Sequence, residues 1–434
     1  MKKNFIYALL AVCLLLALVA VTVLFFSNSF RHFVRDFGVP AEFPVLHITA
    51  PLHPFLAERD YWHPGTLTLA GSGDDFAGEE IRLRGRGNST WVQAEDKRPL
   101  RIRFETPRTL LSDYPHRDWV LVANHFDMSL LRNYAALYLG SLMGGMDHTP
   151  MVQNVQVYIN GEYAGLFLLT DERDVAPGRS QLTFDPDPTL SEFYFELDGH
   201  AIGWRADDRT LGDDFFIVDG LAYSIRYPSG GRRSTAHTEY LYNFVTRANE
   251  AMLSHDFERI QRYIDIDSFL DFYVVQELFK NIDISAFSVF MQLRGQGDAR
   301  RIYFGPVWDF DRSAGNTIHW YTHENIFAGW YNTWFRAGLN TPELAEKMKT
   351  RWFAAANDEI LAMLSRLRQT RRVNAAEFQR DFDKFNLPET QPNWFYGIVP
   401  APLQELTTWE QQADYLIQWL TKRRDWLNWY FNEN

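Results

Sequence analysis

Two aspartates stand one residue apart inside an apolar stretch of the chain. Residues 305–316 read GPVWDFDRSAGN, so Asp309 and Asp311 are flanked by aromatic side chains and followed by Gly-Asn. On an extended chain, the two carboxylates project from one face and Trp308 projects from the other. Paired carboxylate oxygens suit a hard cation such as Mg²⁺ that is shared with substrate phosphates. The same residues are also typical of a solvated aspartate turn, so this segment alone leaves both interpretations open.

A further acidic position lies where an apolar helix is predicted to end. In residues 277–290, ELFKNIDISAFSVF, Asp283 opens a loop and Ser288 lies five residues beyond it. An aspartate in such a loop could accept the proton of an attacking hydroxyl group. Aspartate is equally at home at helix ends and in turns, so a structural role stays open here too.

Positive charge is concentrated on two predicted neighbouring strands. Arg82, Arg84 and Arg86 alternate along the first strand, and four more cations follow on the second, which are Lys97, Arg98, Arg101 and Arg103. The glycines on either side of Arg86 permit the close approach of a ligand. The region is interpreted either as a cradle for phosphate groups or as an exposed strand face paired with acidic side chains.

The composition bounds the class of protein. A chain of 434 residues with 46% hydrophobic side chains can bury a large core, in one domain or two. The net charge of −12 argues against a dedicated nucleic-acid-binding protein, because such a protein needs basic surface. The only cysteine is Cys13, which excludes an intrachain disulfide.

The first residues of the chain predict a membrane anchor. Lys2 and Lys3 precede an uncharged, strongly apolar run over 4–30 that is long enough to cross a bilayer as one helix. No Ala-x-Ala-like cleavage site is evident, which favours an uncleaved anchor over a signal peptide. We therefore predict a single-pass transmembrane helix over 1–30 and a tether over 31–42. The two lysines favour a cytoplasmic N terminus and an extracytoplasmic body.

The elements that must position these residues form a strand-rich half and a helical half. Alternating segments predict strands up to residue 229, among them a hairpin across Asn160-Gly161. Beyond that point, apolar spacings of three and four predict helices, interrupted by one strand that runs into the aspartate motif. This order predicts an α+β fold with two lobes. We expect a core over 43–337 and a C-terminal helical part of the same domain over 338–434.

The motifs, taken in order, resemble those of the CotH kinase-like family, which is named after spore coat protein H. The similar segments are LRGRGNSTW, KRPLRIRF, VYINGEYAGLFLL, FYFELDG, IRYP, YIDIDSFLDFYVVQELFKNID and YFGPVWDFDRSAGN, and together they extend over approximately 44–430. The order of basic strand, loop aspartate and metal-binding aspartate is also that of a protein kinase. The resemblance implies an atypical, kinase-like two-lobed fold that binds ATP and Mg²⁺ and phosphorylates protein hydroxyl groups.

The resemblance also implies roles for the candidate residues. Asp283 corresponds to the catalytic-loop aspartate, and Asp309 and Asp311 correspond to the metal-binding motif. Trp308 corresponds to the aromatic side chain that contacts adenine. In the family, the segment that corresponds to KRPLRIRF supplies a phosphate-binding cation. Here it contains Lys97, Arg98 and Arg101, and the resemblance does not indicate which of them binds phosphate.

Two positions depart from the pattern of the family. The acid after the hairpin is usually Glu, and here Asp171 is followed by Glu172, so that either could pair with the basic strand. Ser288 stands where many members have an Asn that acts as a second metal ligand. A site with one metal ion, or with weaker metal binding, is therefore also compatible with the resemblance.

The leading hypothesis is a membrane-anchored Ser/Thr protein kinase that uses Mg-ATP and acts on a surface or secreted protein. The alternative is a catalytically silent, kinase-like surface protein that serves as a coat, adhesion or assembly factor. Ser288 and the aromatic cluster at 319–335 leave room for that alternative. A third interpretation is a nucleotide-dependent transferase that attaches another group at the same site.

Overall fold

The structure is a computed structural model, and it describes residues 42–433 apart from 52–57, 88, 94–95, 204–209, 318–321, 325–326 and 386–399. These residues all belong to one compact unit, Ala41–Asn434. The predicted anchor over 1–30 lies outside the described residues, as does the tether except for its last residue. Among the described helices, none combines the length and the apolar character that crossing a membrane requires.

A closed barrel of seven strands occupies the first half of the chain. Its strands are β1 Val45–Thr49, β2 His63–Ala70, β3 Phe76–Gly85, β4 Leu100–Arg108, β5 His116–Val122, β6 Val152–Ile159 and β7 Glu162–Asp171. The order is β1-β2-β3-β4-β5-β7-β6, and a parallel pair between β1 and β6 closes the barrel. Alternate apolar side chains fill the interior, and Leu83, Ile102, Trp119 and Phe167 are fully buried there.

Five further strands form an open antiparallel sheet. They are β8 Phe193–Leu197, β9 Phe215–Val218, β10 Leu221–Tyr227, β11 Val289–Arg294 and β12 Arg301–Phe304, in the order β12-β11-β8-β10-β9. Strands β11 and β12 form a hairpin, and the N–H of Gly305 donates to the carbonyl oxygen of Phe290 at 2.9 Å. Because the strands are antiparallel, the residues before β11 lie beside the residues after β12. The hairpin therefore brings the Asp283 loop next to the aspartate motif.

Helices dominate the second half of the chain. The helices in the described residues are α1 Ser89–Gln93, α2 Arg132–Leu142, α3 His200–Gly203, α4 Thr235–Leu253, α5 Phe257–Ile260, α6 Ile266–Phe279, α7 Thr333–Leu339, α8 Pro342–Asn357, α9 Glu359–Val373, α10 Ala375–Phe385, α11 Ala401–Gln404 and α12 Trp409–Glu433. Short 3₁₀ turns span Ile282–Ser285, Gly297–Ala299 and Ala328–Tyr331. One apolar core joins the helices to the open sheet. The prediction of a mixed α+β fold with a sheet-rich first half is confirmed.

The predicted hairpin turn is confirmed, and a side chain caps the helix that leads to the Asp283 loop. Ile159 pairs with Glu162 across a two-residue turn, in which Asn160 and Gly161 have φ angles of 52° and 85°. Positive φ angles at both positions are what the favoured hairpin turn requires. At the start of α6, the side chain of Asp265 caps the helix by accepting the N–H of residue 268 at 2.9 Å.

The strand that leads into the aspartate motif ends before the aspartates, so the extended geometry considered for Asp309 and Asp311 does not apply. Strand β12 ends at Phe304, because Pro306 has no N–H with which to continue the ladder. Asp309 has a φ angle of 69°, which no extended strand contains. Asp309 and Asp311 therefore lie on a folded loop, and the alternation of an extended chain does not decide which way their side chains point.

Candidate active site

A pocket lies between the barrel edge where β3 and β5 end and the loop that follows β12. It has about 450 Å³ of empty space, part of which is open to solvent. The described residues that line it are Arg86, Thr90, Pro99, Val122, Ala123, Asn124, Asn133, Leu137, Trp308, Asp309 and Asp311. Three of the residues predicted from the sequence, Trp308, Asp309 and Asp311, thus share one pocket.

The Asp283 loop lies against the aspartate motif. The hydroxyl of Ser288 donates to Oδ2 of Asp309 at 3.2 Å. The side-chain amide of Asn281 donates to the carbonyl oxygen of Asp309 at 3.3 Å, and its oxygen accepts the N–H of Asp283 at 3.2 Å. The structure therefore groups Asp283, Ser288, Asp309 and Asp311, although 21 or more residues separate the loop positions from the motif.

The three carboxyl groups of this site repel one another in a poorly hydrated environment. Burial and the charge of Asp309 raise the pKa of Asp283 to about 7, against a smaller opposing effect of Arg312. Burial, Asp309 and Asp283 together hold the pKa of Asp311 well above its ordinary range. Like charges that share a poorly hydrated site favour protonation of one partner, and the charge of Arg312 offsets this only in part.

This excess of negative charge fits a divalent cation. Carboxylate and hydroxyl oxygens are the donors that Mg²⁺ prefers, and a bound cation would remove the repulsion that raises these pKa values. Asp309 and Asp311 are the residues that would hold such an ion. Ser288 stands beside Asp309 and offers a further oxygen.

Removing one charge from this group should stabilise the metal-free protein. Asp311→Asn should raise the free energy of unfolding at pH 8 by roughly 1 kcal/mol, because the carboxylate is costly there. Because the pKa of Asp311 is higher in the folded state than in the unfolded state, the folded protein loses stability as pH rises above the unfolded-state value of about 4. The gain should therefore shrink as pH falls and disappear well below the unfolded-state pKa of about 4, where Asp311 is protonated in both states. Chemical unfolding with a metal chelator measures this.

The matched control for that measurement is Asp298→Asn, since Asp298 is exposed on the turn between β11 and β12. Added Mg²⁺ should stabilise the parent more than the Asp311 variant, because only the parent retains both motif carboxylates. A metal-free Asp311→Asn protein that is less stable than the parent at pH 8 would contradict this electrostatic description.

Side chains at the start of α2 hold the loop that carries the two aspartates. Arg132 is fully buried and donates to the carbonyl oxygens of Ser313 and Ala314 at 3.0 and 3.2 Å. Its charge is balanced by a buried ion pair with Asp127. Asn133 accepts, through its side-chain oxygen, the N–H of the residue between the aspartates at 2.7 Å. The loop is thus fixed by protein contacts, as a preorganised ligand site requires.

The three cations proposed for phosphate binding are not among the described residues that line the pocket. Lys97 is 1% exposed, and its amino group donates to Asp381 at 2.7 Å. The guanidinium carbon of Arg98 lies 4.6 Å from the ring centroid of Trp91. Arg101 pairs with acidic side chains of β5 and of the residue that follows β7. Their phosphate-binding role stays a prediction.

The two acids after the hairpin, Asp171 and Glu172, lie in different surroundings. Asp171 is fully buried and accepts hydrogen bonds from Tyr114 and, at 3.1 Å, from His148. Glu172 instead forms an ion pair with Arg101 at 3.3 Å. Glu172 is therefore the acid that faces the basic strand, whereas Asp171 belongs to a buried cluster behind it.

Arginines surround both Glu172 and Trp308. Burial alone would raise the pKa of Glu172, but the charges of Arg86, Arg101 and Arg173 hold it below its ordinary value. Trp308 is 6% exposed, and its ring centroid lies 4.7 Å from the guanidinium of Arg173 and 5.5 Å from that of Arg86. The ring lines the pocket in contact with cations, and its predicted contact with adenine stays a prediction.

A cluster of possible metal ligands lies away from the aspartate motif. Potential ligand atoms of His116, Asp118 and Asp174 lie within 4.8 Å of one another. Asp118 accepts from Arg103 at 2.8 Å, and Asp174 accepts from Arg179 at 2.8 Å. Arginines already balance these carboxylates, so the cluster is explained as an ion-pair network.

The sequence did not single out two polar residues of the pocket. Asn124 and Asn133 both line it and bond to each other at 2.9 Å. Asn133 lies in the first turn of α2 among apolar side chains. Asn124 lies just beyond the end of β5. A polar residue at a helix start or strand end is the signal that could have indicated them.

The fold and the site together define a class of protein. A mixed α+β scaffold places a desolvated group of carboxylates on loops beside a pocket edged with arginine, which is the arrangement of a kinase-like protein. Residues 81–427 match the family described as CotH kinase protein, and the chain belongs to this family. No curated protein matches the chain.

Proposed function

We propose that this protein is an atypical protein kinase that transfers the γ-phosphoryl group of ATP to Ser or Thr. The observation that carries the proposal is the grouping of Asp283, Asp309 and Asp311 beside one pocket, with mutual repulsion that a divalent cation would relieve. Membership of the CotH kinase family supports the same assignment.

Each residue of the group has a distinct role in this proposal. Asp309 and Asp311 would hold Mg²⁺, and the bound ion would neutralise charge on the phosphate groups. Asp283 orients the acceptor hydroxyl and takes its proton, a role that suits a carboxylate on the loop that contacts the metal-binding aspartates. The bond from the hydroxyl oxygen to the γ-phosphorus forms while the bond to the β-γ bridging oxygen breaks, and ADP leaves. Trp308 forms a wall of the nucleotide pocket.

In this proposal, the scaffold divides into the two lobes of a kinase. The barrel with Glu172 and Arg101 would serve as the nucleotide-binding lobe, and the open sheet with its helices would carry the catalytic loops. The pocket is lined from both parts, which supports this division.

A membrane-anchored location is proposed from the apolar run over 4–30. The globular part would then be extracytoplasmic, and its acceptor would be a surface or secreted protein. Protease added to intact cells should remove a tag placed at the C terminus of the chain. A tag that stays protected until the cells are lysed would refute this topology.

The proposed activity predicts metal-dependent transfer from γ-labelled ATP. The full chain, purified in mild detergent, should label itself or an added Ser/Thr-rich protein with Mg²⁺ present, and a chelator should abolish labelling. Asp309→Asn should reduce labelling by about 10³-fold, because the metal site loses a charged ligand. Asp298→Asn should label as the parent does, since that side chain is exposed and remote from the pocket lining.

The silent-scaffold alternative gives a different result in the same assay. Nucleotide binding without transfer to any protein would favour a coat, adhesion or assembly role. Partly exposed aromatics could serve such a role, since Trp330 and Tyr331 are 43% and 47% exposed. By contrast, Phe327, Trp334 and Phe335 of the same segment are buried in the core.

A further inference from the structure

The basic side chains on the outer face of β3 and β4 are paired with acids. Arg82 donates to Glu105 at 3.0 Å, and Arg84 donates to Asp60 at 2.9 Å. Arg101 and Arg103 both donate to one acid, Asp118. For these four arginines, the interpretation as an exposed strand face paired with acids holds. None of them is among the described residues that line the pocket.

Arg86 differs from these four arginines in both respects. It lines the pocket, and no described side chain forms an ion pair with its guanidinium within 4.0 Å or accepts a hydrogen bond from it. The carboxylates of Glu172 and Asp309 act on it electrostatically, while burial opposes its charge. A guanidinium that lines a pocket without a direct partner among the described side chains keeps its donors available, and an anion in the pocket could accept hydrogen bonds from them.

The backbone explains why Arg86 leaves the pattern of the strand. Strand β3 ends at Gly85, where a Cβ atom would lie 2.1 Å from the ring of Trp91, so that only glycine fits. The N–H of Arg86 donates to the carbonyl oxygen of Pro99 at 3.2 Å, and Gly87 then adopts a φ angle of 84°. These contacts hold the residue at the barrel edge beside the pocket.

Arg86 shares the pocket with two parts of the proposed site. The guanidinium lies 5.5 Å from the ring centroid of Trp308, the proposed wall for adenine. Asp309, a proposed metal ligand, is among the charges that act on it. In a nucleotide the phosphate chain joins the base to the metal-binding oxygens, so a cation that shares the pocket with Trp308 and Asp309 is suitably placed for that chain.

Resting on the proposed function, we infer that Arg86 is the cation that binds the phosphate chain of the nucleotide. The planar guanidinium can donate two parallel hydrogen bonds to phosphate oxygens, and a poorly hydrated pocket strengthens that contact. The amino group of Lys97 is engaged in a buried ion pair with Asp381, which favours Arg86 over Lys97 for this role.

Calorimetric titration of the full chain with three ligands tests this inference. Mg-ATP carries base and phosphates, adenosine carries the base alone, and tripolyphosphate with Mg²⁺ carries phosphates alone. Arg86→Ala should weaken Mg-ATP and tripolyphosphate binding by about 10- to 100-fold, which corresponds to the loss of charged hydrogen bonds. Adenosine binding should change by less than about threefold. Arg86→Gln, which keeps most of the side chain, should behave in the same way if the alanine variant is unstable.

The control is Arg84→Ala, which removes the same charge two residues earlier from a side chain paired with Asp60. It should leave all three affinities within about twofold of the parent, because a partly exposed pair contributes little. Unchanged Mg-ATP binding in both Arg86 variants would overturn the inference while leaving the proposed function intact. An equal loss for adenosine and ATP would overturn it too, since Arg86 would then support the pocket wall. A parent that binds none of the nucleotides would refute the proposed function and this inference with it.

Discussion

Replacing Asp283 by Asn should reduce phosphoryl transfer by about 10²- to 10⁴-fold while leaving Mg-ATP affinity within a few-fold of the parent. Asn has nearly the same shape as Asp. The side chain of Asn281 accepts a hydrogen bond from the backbone N–H of residue 283, and the variant keeps that N–H. The amide cannot accept the proton of the attacking hydroxyl group. The change therefore removes the proposed base without removing the proposed metal ligands.

Single-turnover labelling and calorimetry on the same preparation separate the two effects. The Asp298→Asn variant serves as the control, because it also exchanges one carboxylate for an amide on a loop of the same hairpin. Full transfer by Asp283→Asn would remove Asp283 from its proposed role. An equal loss of affinity and transfer would instead make Asp283 a contributor to nucleotide or metal binding.

Breaking the buried pair between Lys97 and Asp381 should have the largest effect on stability. The side chains are 1% and 0% exposed, and Asp381 also accepts the N–H of Leu166 at 2.6 Å. The pair thereby ties the residues before β4 to α10 and β7. Lys97→Met leaves an uncompensated buried charge, which typically costs about 3–5 kcal/mol. Chemical unfolding should show this cost directly.

The packing around this pair leaves little room for rearrangement. At Gly165, whose φ angle is 132°, a Cβ atom would lie 2.9 Å from both Asp381 and Lys97.

The double variant Lys97→Met/Asp381→Asn should recover much of the lost stability, because it removes both charges and keeps an acceptor for the N–H of Leu166. Lys347→Met, a change at an exposed position, should cost less than about 0.5 kcal/mol.

The same variants decide between two roles for Lys97. A stable Lys97→Met protein that loses Mg-ATP affinity would contradict the structural assignment and support the phosphate-binding role predicted from the sequence. A destabilised protein whose folded fraction still binds Mg-ATP normally would support the ion pair. Affinity must therefore be measured well below the melting temperature of each variant.

Local signals made parts of this fold predictable. The turn at Asn160-Gly161 requires positive φ angles, which these residue types adopt readily, and the cap at Asp265 depends on its own side chain. The closure of the barrel was not predictable in this way, because it depends on a parallel pair between β1 and β6, which are far apart in the chain. Nothing in either segment specifies its partner.

The candidate site shows the same division between local and long-range information. The aspartates were visible as motifs, whereas their arrangement on a folded loop depends on contacts from Arg132 and Asn133, which lie about 180 residues away. The basic segment indicated several cations of similar chemistry. Only their partners in space distinguish Lys97, which is paired with an acid from a distant helix, from Arg86, which faces the pocket. Charge pattern alone contains no such information.

The central claim is that the pocket beside Asp283, Asp309 and Asp311 binds a nucleotide together with a divalent cation. Calorimetric titration of the full chain with ATP, in the presence of Mg²⁺ and again with a chelator, tests this most directly. We predict one binding site per chain that requires Mg²⁺ and that Asp309→Asn weakens strongly. Absence of nucleotide binding with Mg²⁺, Mn²⁺ and Ca²⁺, in a protein shown to be folded, would contradict the claim.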